Sequence, residues 1–594
     1  MLLQRLAEFA SRLPDLPPSL YEESPVRYIV ELDAAGRLLN RRLTDTVDRS
    51  SPRGKSGVRR RVPQVQRTSG ITPMLLVGNA EYTLGLPRDT AKAARAAACH
   101  SAYLALVARC AQATREPDVH AVLTFLRADP TSQLDLPDDF DRASNITFRV
   151  GESFVVDHPT VQRFWAELND PAGDGRQPQI MQCIVCGRER PVLARLKGKV
   201  KGGLPGGQAS GTALISANAE AFWSYGLEAS FIAPTCSQCG EGFTRAINHL
   251  LTQRENHLTV GGAAFVFWTR EPNAFSPYTL LNDPQPGEVR ELLRAPSTGR
   301  DQAAAVVEDT AFYATALSGS GGRAVVRDWL DTTVSEVKEH LRRWFSGQAI
   351  VGPYGEEPKP FGLYPLAACT VRDASKELAP PVPRALLRGA LAGTPLPMDL
   401  LCQAVRRNRA EQKVTQPRAA LIKMVLCSRR PAGKKEEMVQ LDPSNDSPAY
   451  RCGRLLAVLE EVQYHAIPGA KATIVDRFFG SASSAPASVF GRLLRGAQPH
   501  LAKLRRDRPG AYFALQVRLE EIQSGLSGFP RFLTLEGQGL FALGYYHQRA
   551  HDRAQARAAK ARRAAGEVAP PEADLLPEEE LAAAQDAGRE DEES

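Results

Sequence analysis

Four cysteines form two Cys-x-x-Cys units, Cys183 and Cys186 in "CIVCG" and Cys236 and Cys239 in "CSQCG". A thiolate is a good ligand for a borderline-soft cation, and a two-residue spacer lets both sulfurs of a unit reach one ion. Two units therefore supply the closed tetrahedron of a structural Zn2+ site. A catalytic zinc keeps an open position and usually recruits His, so the expected role is a clasp. Gly187 and Gly240 follow the two pairs, and a glycine there permits φ > 0, which helps the turn aim backbone N–H groups at sulfur. A redox dithiol or four unrelated thiols are the other readings of these residues. The remaining cysteines, Cys99, Cys110, Cys369, Cys402, Cys427 and Cys452, stand singly and read as buried small hydrophobes. Ten cysteines in 594 residues make no disulfide scaffold.

The pairs lie 49 residues apart and enclose "RLKGKVKGGLPGGQASGTALISANAEAFWSYG", 195–226. Arg195, Lys197, Lys199 and Lys201 alternate, so an extended chain puts all four cations on one face, roughly 6.6 Å apart. That spacing suits a phosphate backbone. Gly202, Gly203, Gly206 and Gly207 permit close backbone approach. Gln208, Ser210 and Asn218 offer donors to base edges or phosphates, although Asn218 also reads as a cap on a helix "AEAFWSYG". Upstream, "RSSPRGKSGVRRRVPQVQRTSG" (49–70) carries Arg49, Arg53, Lys55, Arg59, Arg60, Arg61 and Arg67 and no acid. Its Pro, Gly and Ser predict a mobile basic loop available to phosphates.

Charge agrees with such a partner. The chain has a net charge of +7, but residues 567–594 hold eleven acidic residues and one Arg, leaving +17 on the rest. A basic body with an acidic tail implies a polyanion. The tail is expected to be disordered.

The elements that must position these groups follow from patterning. The length predicts three or four domains, multidomain α+β in class. A mixed α/β N-terminal region (1–350) contains the zinc-clasped segment 181–250. Then come a Pro-rich connection (351–383), a helical middle region (384–471), a C-terminal helical bundle (472–563) and the tail (564–594). "RYIVELDAAGRLLNRRL" reads as strand, turn, strand, and 89–113 as an Ala-rich helix capped by Asp89. "NITFRVG", "ESFVV" and "AAFVFWT" read as strands. "SGSGGRAVVRDWLDTTVSEVKEHLRRWF" reads as glycine loop, strand and helix, with Leu330, Val334, Val337, Leu341 and Phe345 on one face. No apolar run approaches the ~18 residues of a membrane span. Arg5, Glu8 and Arg12 interrupt any signal-peptide core, so a cytoplasmic location with no membrane partner is expected.

No catalytic constellation emerges. A Walker A loop and a nucleophile elbow are missing, and His551-Asp552 lacks a His-rich partner motif. Four long strings, however, resemble one family in the same order: "VPQVQRTSGITPMLLVGNAEYTLG", "GGQASGTALISANAEAFWSYG", "ATIVDRFFGSASSAPASVFGRLL" and "LEGQGLFALGYYHQR". They are similar to the Csd family, the large subunit of the type I-C CRISPR surveillance complex, Cascade. The resemblance runs from the first helix to about residue 550.

The resemblance implies a non-enzymatic, RNA-guided, antiviral DNA-binding role. Such a subunit recognises the PAM in double-stranded target DNA, opens the duplex, stabilises the R-loop, and serves as a platform for the helicase-nuclease. Its partners would be the guide RNA complex, with the backbone and crRNA-processing subunits, and a small subunit made from the same gene. Asn79, Lys199, Lys201, Gln208, Ser210 and Asn218 lie in segments that resemble the family's N-terminal part and become the candidate PAM and duplex contacts, with Arg59, Arg60 and Arg61 beside them. In the rear segment Arg492, Arg495, Lys503, Arg505 and Arg506 are candidates for the displaced strand. Met438 is the last methionine, so a separate small subunit requires a non-AUG start, with Val475 the candidate codon. The alternatives to this role are a zinc-dependent nuclease or phosphohydrolase and a basic protein-binding scaffold.

Overall fold

Short runs of β-branched and aromatic residues build the first strands: β1 (Tyr21–Val26), β2 (Tyr28–Leu32), β3 (Thr44–Asp45), β4 (Val58–Pro63), β5 (Val77–Gly78), β6 (Ile146–Val150) and β7 (Ser153–Phe154). The computed structural model describes all residues except 14–19, 48–56, 66–69, 89–91, 138, 170–178, 197, 202, 295–309, 430–437 and 565–594. The expected Asp89 cap, Arg49, Arg53, Lys55, Arg67, Lys197, Gly202 and almost all of the acidic tail lie outside the described residues. The chain forms two units. One is Met1–Gly203, Gln208–His249 and Gly321–Ala324; the other is Leu204–Gly207, Leu250–Ser320 and Val325–Ser594. No boundary falls near 350, 383 or 471.

In the first unit β2 runs parallel to β6, with Tyr28 opposite Ile146 and Leu32 opposite Val150, and the sheet order is β3-β2-β6-β5. Helices Ala93–Thr114 and Pro117–Arg127 supply the core: Cys99, Tyr103, Val107 and Cys110 recur at helical spacing and are buried with Val122, Phe125 and Phe148. Burial pushes the Cys110 thiol up to about 12, as expected of a hydrophobe-like cysteine. The second strand expected after "DAAG" shrinks to a single bridge, Leu32 to Leu38, and the chain next pairs with β2 at Thr44–Asp45.

Part of the stretch expected as a basic loop is a strand. β4 pairs antiparallel with β1, placing Arg59, Arg60 and Arg61 opposite Pro25, Ser24 and Glu23. Pro and Ser upstream had suggested a loop. Continuous antiparallel pairing with the Tyr21–Val26 strand, from Tyr21 opposite Pro63 to Val26 opposite Val58, outweighs them.

The second unit is built on the sheet β10 (His257–Val260), β11 (Ala263–Thr269), β12 (Ala311–Ser320) and β13 (Arg323–Thr333), in that order. β12 was not anticipated, because "SGSGG" at its end reads as loop. Its residues Phe312–Ser318 are all buried, the pattern of a strand covered on both faces. Trp268, Tyr313 and Trp329 form an aromatic ladder across β11, β12 and β13, with ring centroids 5.6–5.8 Å apart. Thr333 caps the helix Val334–Gln348 by accepting from Glu336 N. Leu330 therefore lies on β13, while Val334, Val337, Leu341 and Phe345 are buried on the helix as expected. The Pro-rich connection holds the short helices Leu363–Ala368 and Ala374–Glu377, and Pro381 starts Pro381–Ala392 at its N-terminal turn. One hydrophobic core runs from Leu258 through to Tyr546.

Within the C-terminal helices a carboxyl pair is buried. Glu461 on Pro448–Ala466 and Asp552 on Leu535–Ala564 are each 2% exposed. Arg518 stands 3.0 Å from Asp552, Gln548 Nε2 donates to Asp552 at 2.9 Å, His465 lies 3.7 Å from Glu461, and the charges of Arg549 and Glu460 also act on Glu461. Burial, reinforced by the Glu461 charge, pushes Asp552 up to about 7 from its ordinary 3.8. Between those values the folded chain holds a proton that the unfolded chain has lost. Stability therefore falls as pH rises through that window and stays low above it. We expect a lower thermal midpoint at pH 8 than at pH 5.5. Glu461→Gln, which removes the second carboxylate but can still donate, should shrink that difference; an unaltered pH profile would clear this pair as its cause.

Candidate nucleic-acid interface and metal centre

The hairpin of β8 (Ile180–Gln182) and β9 (Glu189–Pro191) delivers the first cysteine pair. Cys183 N donates to Arg188 O at 2.9 Å and Gly187 N to Cys183 O at 2.8 Å, closing a tight turn in which Gly187 takes φ +71°. The second pair arrives differently. Cys236 bridges Val192, and Cys239 sits in the first turn of the helix Ser237–Thr252. Gly240 is accordingly helical, not at positive φ. A Cβ there would lie 2.6 Å from Leu196 Cδ2, so Leu196 packs directly over this glycine.

The four ligand atoms of Cys183, Cys186, Cys236 and Cys239 lie within 4.8 Å of one another. A zinc tetrathiolate with Zn–S near 2.3 Å has sulfur–sulfur edges of about 3.8 Å, so a small contraction closes the site. Cys236 N donates to Cys183 Sγ at 3.4 Å. Burial raises the Cys183 thiol, but backbone N–H donors from Cys186, Cys236 and Val185 outweigh it and bring it down to about 7; burial raises Cys239. The donor set fits Zn2+. Bound there, the ion would cross-link the β8–β9 turn to the helix and leave no open position for chemistry.

From this clasp the 49-residue excursion is tied down along its length. Val200 and Thr212 exchange both backbone bonds, at 2.7 and 2.9 Å. Asn248, three turns along the clasped helix, donates to Lys199 O and accepts from Lys201 N at 2.9 and 2.8 Å. Lys199 and Lys201 are thus held on a braced backbone. Lys201 Nζ meets Glu22 at 2.6 Å while remaining 46% exposed. Exposed pairs of this kind contribute about 0–1 kcal/mol, so the ammonium is readily re-paired.

Farther on, Gln208 N donates to Gly321 O at 3.1 Å and Ala213 N to Gly322 O at 2.9 Å, while Ala324 N donates to Ala213 O at 2.9 Å. A Cβ on Gly322 would approach Gln208 Oε1 to 3.4 Å, so the glutamine side chain runs beside that turn. Gln208 and Ser210 are exposed, and no side-chain partner of Gln208 is present among the described residues. Asn218 accepts from Arg323, whose guanidinium lies 4.1 Å over the Phe222 ring. Asn218 caps nothing: "AEAFWSYG" forms only a 3-10 turn at Glu220–Phe222, starting at Ala219. After it, Tyr225 (φ +55°) and Gly226 (φ +70°) make a turn closed by Leu227 N donating to Ser224 O, which leaves Tyr225 98% exposed.

A family model of CRISPR-associated proteins (Cas_Csd1) matches residues 3–552. The chain belongs to the Cas_Csd1 family. No curated protein matches it. The match takes in both cysteine pairs, the braced lysines and the glycine turn, and it indicates a Cascade-type protein. No helix among the described residues is long and apolar enough to cross a membrane.

Other residues of this Cas_Csd1 chain fall differently from their sequence-level reading. Asn79 is 2% exposed and caps Ala80–Thr83 by accepting from Tyr82 N, so its side chain is directed inward. Arg60 stacks 3.6 Å over Phe154, and its burial disfavours the charged form; Arg59 turns to Glu23, 3.7 Å away. On the helix Pro486–Asp507, which buries Val489, Phe490, Leu493, Leu501 and Leu504, the cations Arg492, Arg495, Lys503 and Arg506 fall within about 80° of one another, counting ~100° per residue, with Arg505 on another face. Arg492 lies over Phe478, Lys503 donates to Ala466 O and Arg506 pairs with Asp507. His551-Asp552 is no metal dyad, since Asp552 is the buried partner of Arg518. Sequence reasoning missed Asn248, Arg323 and Tyr225. The first two act through distant partners, and only the glycine after Tyr225 hinted at an exposed turn.

Proposed function

We propose that this Cas_Csd1 family member is the non-catalytic large subunit of a type I-C surveillance complex, reading the PAM of double-stranded DNA and helping to open the duplex. The observation that supports this best is Gln208, exposed beside the Gly321–Gly322 turn with its backbone fixed by that turn. A glutamine amide pairs bidentately with adenine, and glycines admit a duplex edge without side-chain obstruction. Lys199 and Lys201 neutralise phosphates, Ser210 adds a donor, and the Arg323–Asn218 pair stiffens the same surface. Tyr225, held exposed at a backbone conformation that costs about 1–3 kcal/mol, supplies a face on which an unpaired base stacks. Zinc is the clasp that sustains the segment. The Arg492–Arg506 face steadies the displaced strand, and the guide RNA complex, the small subunit and the helicase-nuclease are the partners.

The test is PAM-dependent binding by the assembled complex at several salt concentrations. Gln208→Ala should erase discrimination worth about 1–3 kcal/mol at one base pair. Lys199→Ala and Lys201→Ala should weaken all sequences alike and each flatten the salt slope by about 0.9. Tyr225→Ala should leave PAM binding intact and slow duplex opening, read by a fluorescent base beside the PAM. Wild-type behaviour of all four variants would reject this surface as the PAM reader.

A further inference from the structure

The second unit contains a cavity of about 390 Å³ that the role above does not use. Its lining brings together three tyrosines and three cations: Tyr354, Tyr545, Tyr546, Lys413, Arg549 and Arg553. The volume lies within the ~300–1,000 Å³ of small-molecule sites, and the lining contains no carboxylate.

Two of the rings are fixed. Tyr546 OH donates to Val351 O at 2.7 Å, and Tyr545 OH donates to Glu460 at 2.7 Å, which also stands 3.7 Å from Arg549 Nε. Arg553 lies 5.3 Å from the centroid of the Tyr354 ring, so a flat cation and an aromatic face already stack at the rim. Lys413 is exposed, and no side-chain partner of it is present among the described residues. It follows Gln412, which ends Met398–Glu411 at φ +49°. The helix Gln416–Ser428 then begins at the cavity wall, and its cap residue Thr415 makes no side-chain capping bond.

We propose that this cavity binds a nucleotide, its base stacked between the tyrosine faces and its phosphate held by Lys413, Arg549 and Arg553. A purely anionic ligand leaves three aromatic walls unexplained, and a purely apolar one leaves three cations facing it. A nucleotide uses both, and the start of a helix adds the positive end of its dipole for the phosphate. The same chemistry comes from a free nucleoside monophosphate or from one residue of a single strand, and the arms of the test separate them.

The full-length chain is titrated calorimetrically with dAMP, with deoxyadenosine, with inorganic phosphate and with a five-residue deoxyadenosine oligonucleotide. Saturable binding of dAMP is expected, at least tenfold tighter than phosphate or deoxyadenosine alone. Tyr354→Ala should weaken it about tenfold through lost stacking, and Lys413→Glu by a similar factor, with the thermal midpoint of each variant unchanged. If the oligonucleotide alone binds and both variants weaken it, the ligand is a strand residue. Equal affinity for phosphate and dAMP would overturn the proposal, as would binding that neither variant alters. The readout is independent of PAM recognition, so the proposal and the function above fail separately.

Discussion

Stripping zinc from this protein should disorder the 183–239 segment while sparing the second unit. The purified chain is expected to carry one zinc, released by mercurial titration of its thiols. Cys183→Ser with Cys236→Ser should abolish that stoichiometry, since it removes one ligand from each unit. Structural zinc contributes about 10–16 kcal/mol in isolated zinc-finger peptides. A smaller contribution is expected here, because Phe243, Ala246, Ile247 and Leu250 bury the clasped helix independently. What should depend on the ion is the join between the β8–β9 turn and the clasped helix, at the base of the long excursion, whose other ties lie farther along, at Val200–Thr212, Asn248 and Gly321–Ala324. Limited proteolysis should cut the variant between the cysteine pairs, and the assembled complex should lose PAM discrimination. Protein that purifies without zinc, with four thiols titrating freely and the segment resistant to protease, would leave the cysteines without this role.

The cysteine centre was legible because its information is local. A two-residue spacer in each pair and the turn glycine Gly187 place the thiols, and the fold had only to bring the pairs together. The helices were legible for a similar reason, since Val334, Val337, Leu341 and Phe345 advertise a buried stripe. What hid was everything set by distant partners. β12 ends in "SGSGG", and its identity depends on β11, where Trp268 pairs with Tyr313. Arg59 to Arg61 look like free cations until β1 makes a strand of them. Lys201 and Asn218 look solvated until Glu22 and Arg323 arrive from far along the chain. Gly240 shows one residue type serving a need other than the one expected: close packing, with ordinary helical φ.

Glycine gives the sharpest contrast the helices offer. Gly453 on Pro448–Ala466 and Gly544 on Leu535–Ala564 lie where those two helices touch. A Cβ on Gly453 would sit 2.0 Å from Phe541 O and 2.8 Å from Tyr545 N, and one on Gly544 would sit 2.1 Å from Tyr450 O. The obstructing atoms are backbone, so no rotamer change relieves them and one helix must shift. Gly491, on Pro486–Asp507, has nothing within 4 Å of its would-be Cβ. The same substitution should therefore act with opposite signs. Gly491→Ala gains helix propensity, up to about 1 kcal/mol. Gly453→Ala gains that much too, but overpacking typically costs about 1–3 kcal/mol and backbone obstruction puts this site at the upper end, so we expect a net loss of about 2 kcal/mol. Chemical denaturation of the two variants checks this directly, and equal midpoints would mean that the helices can separate at little cost. Because Gly544 precedes Tyr545 and Tyr546, a shift at this crossing should also displace the tyrosine walls of the cavity. Nucleotide affinity in Gly453→Ala should fall along with stability, while Gly491→Ala should leave it untouched.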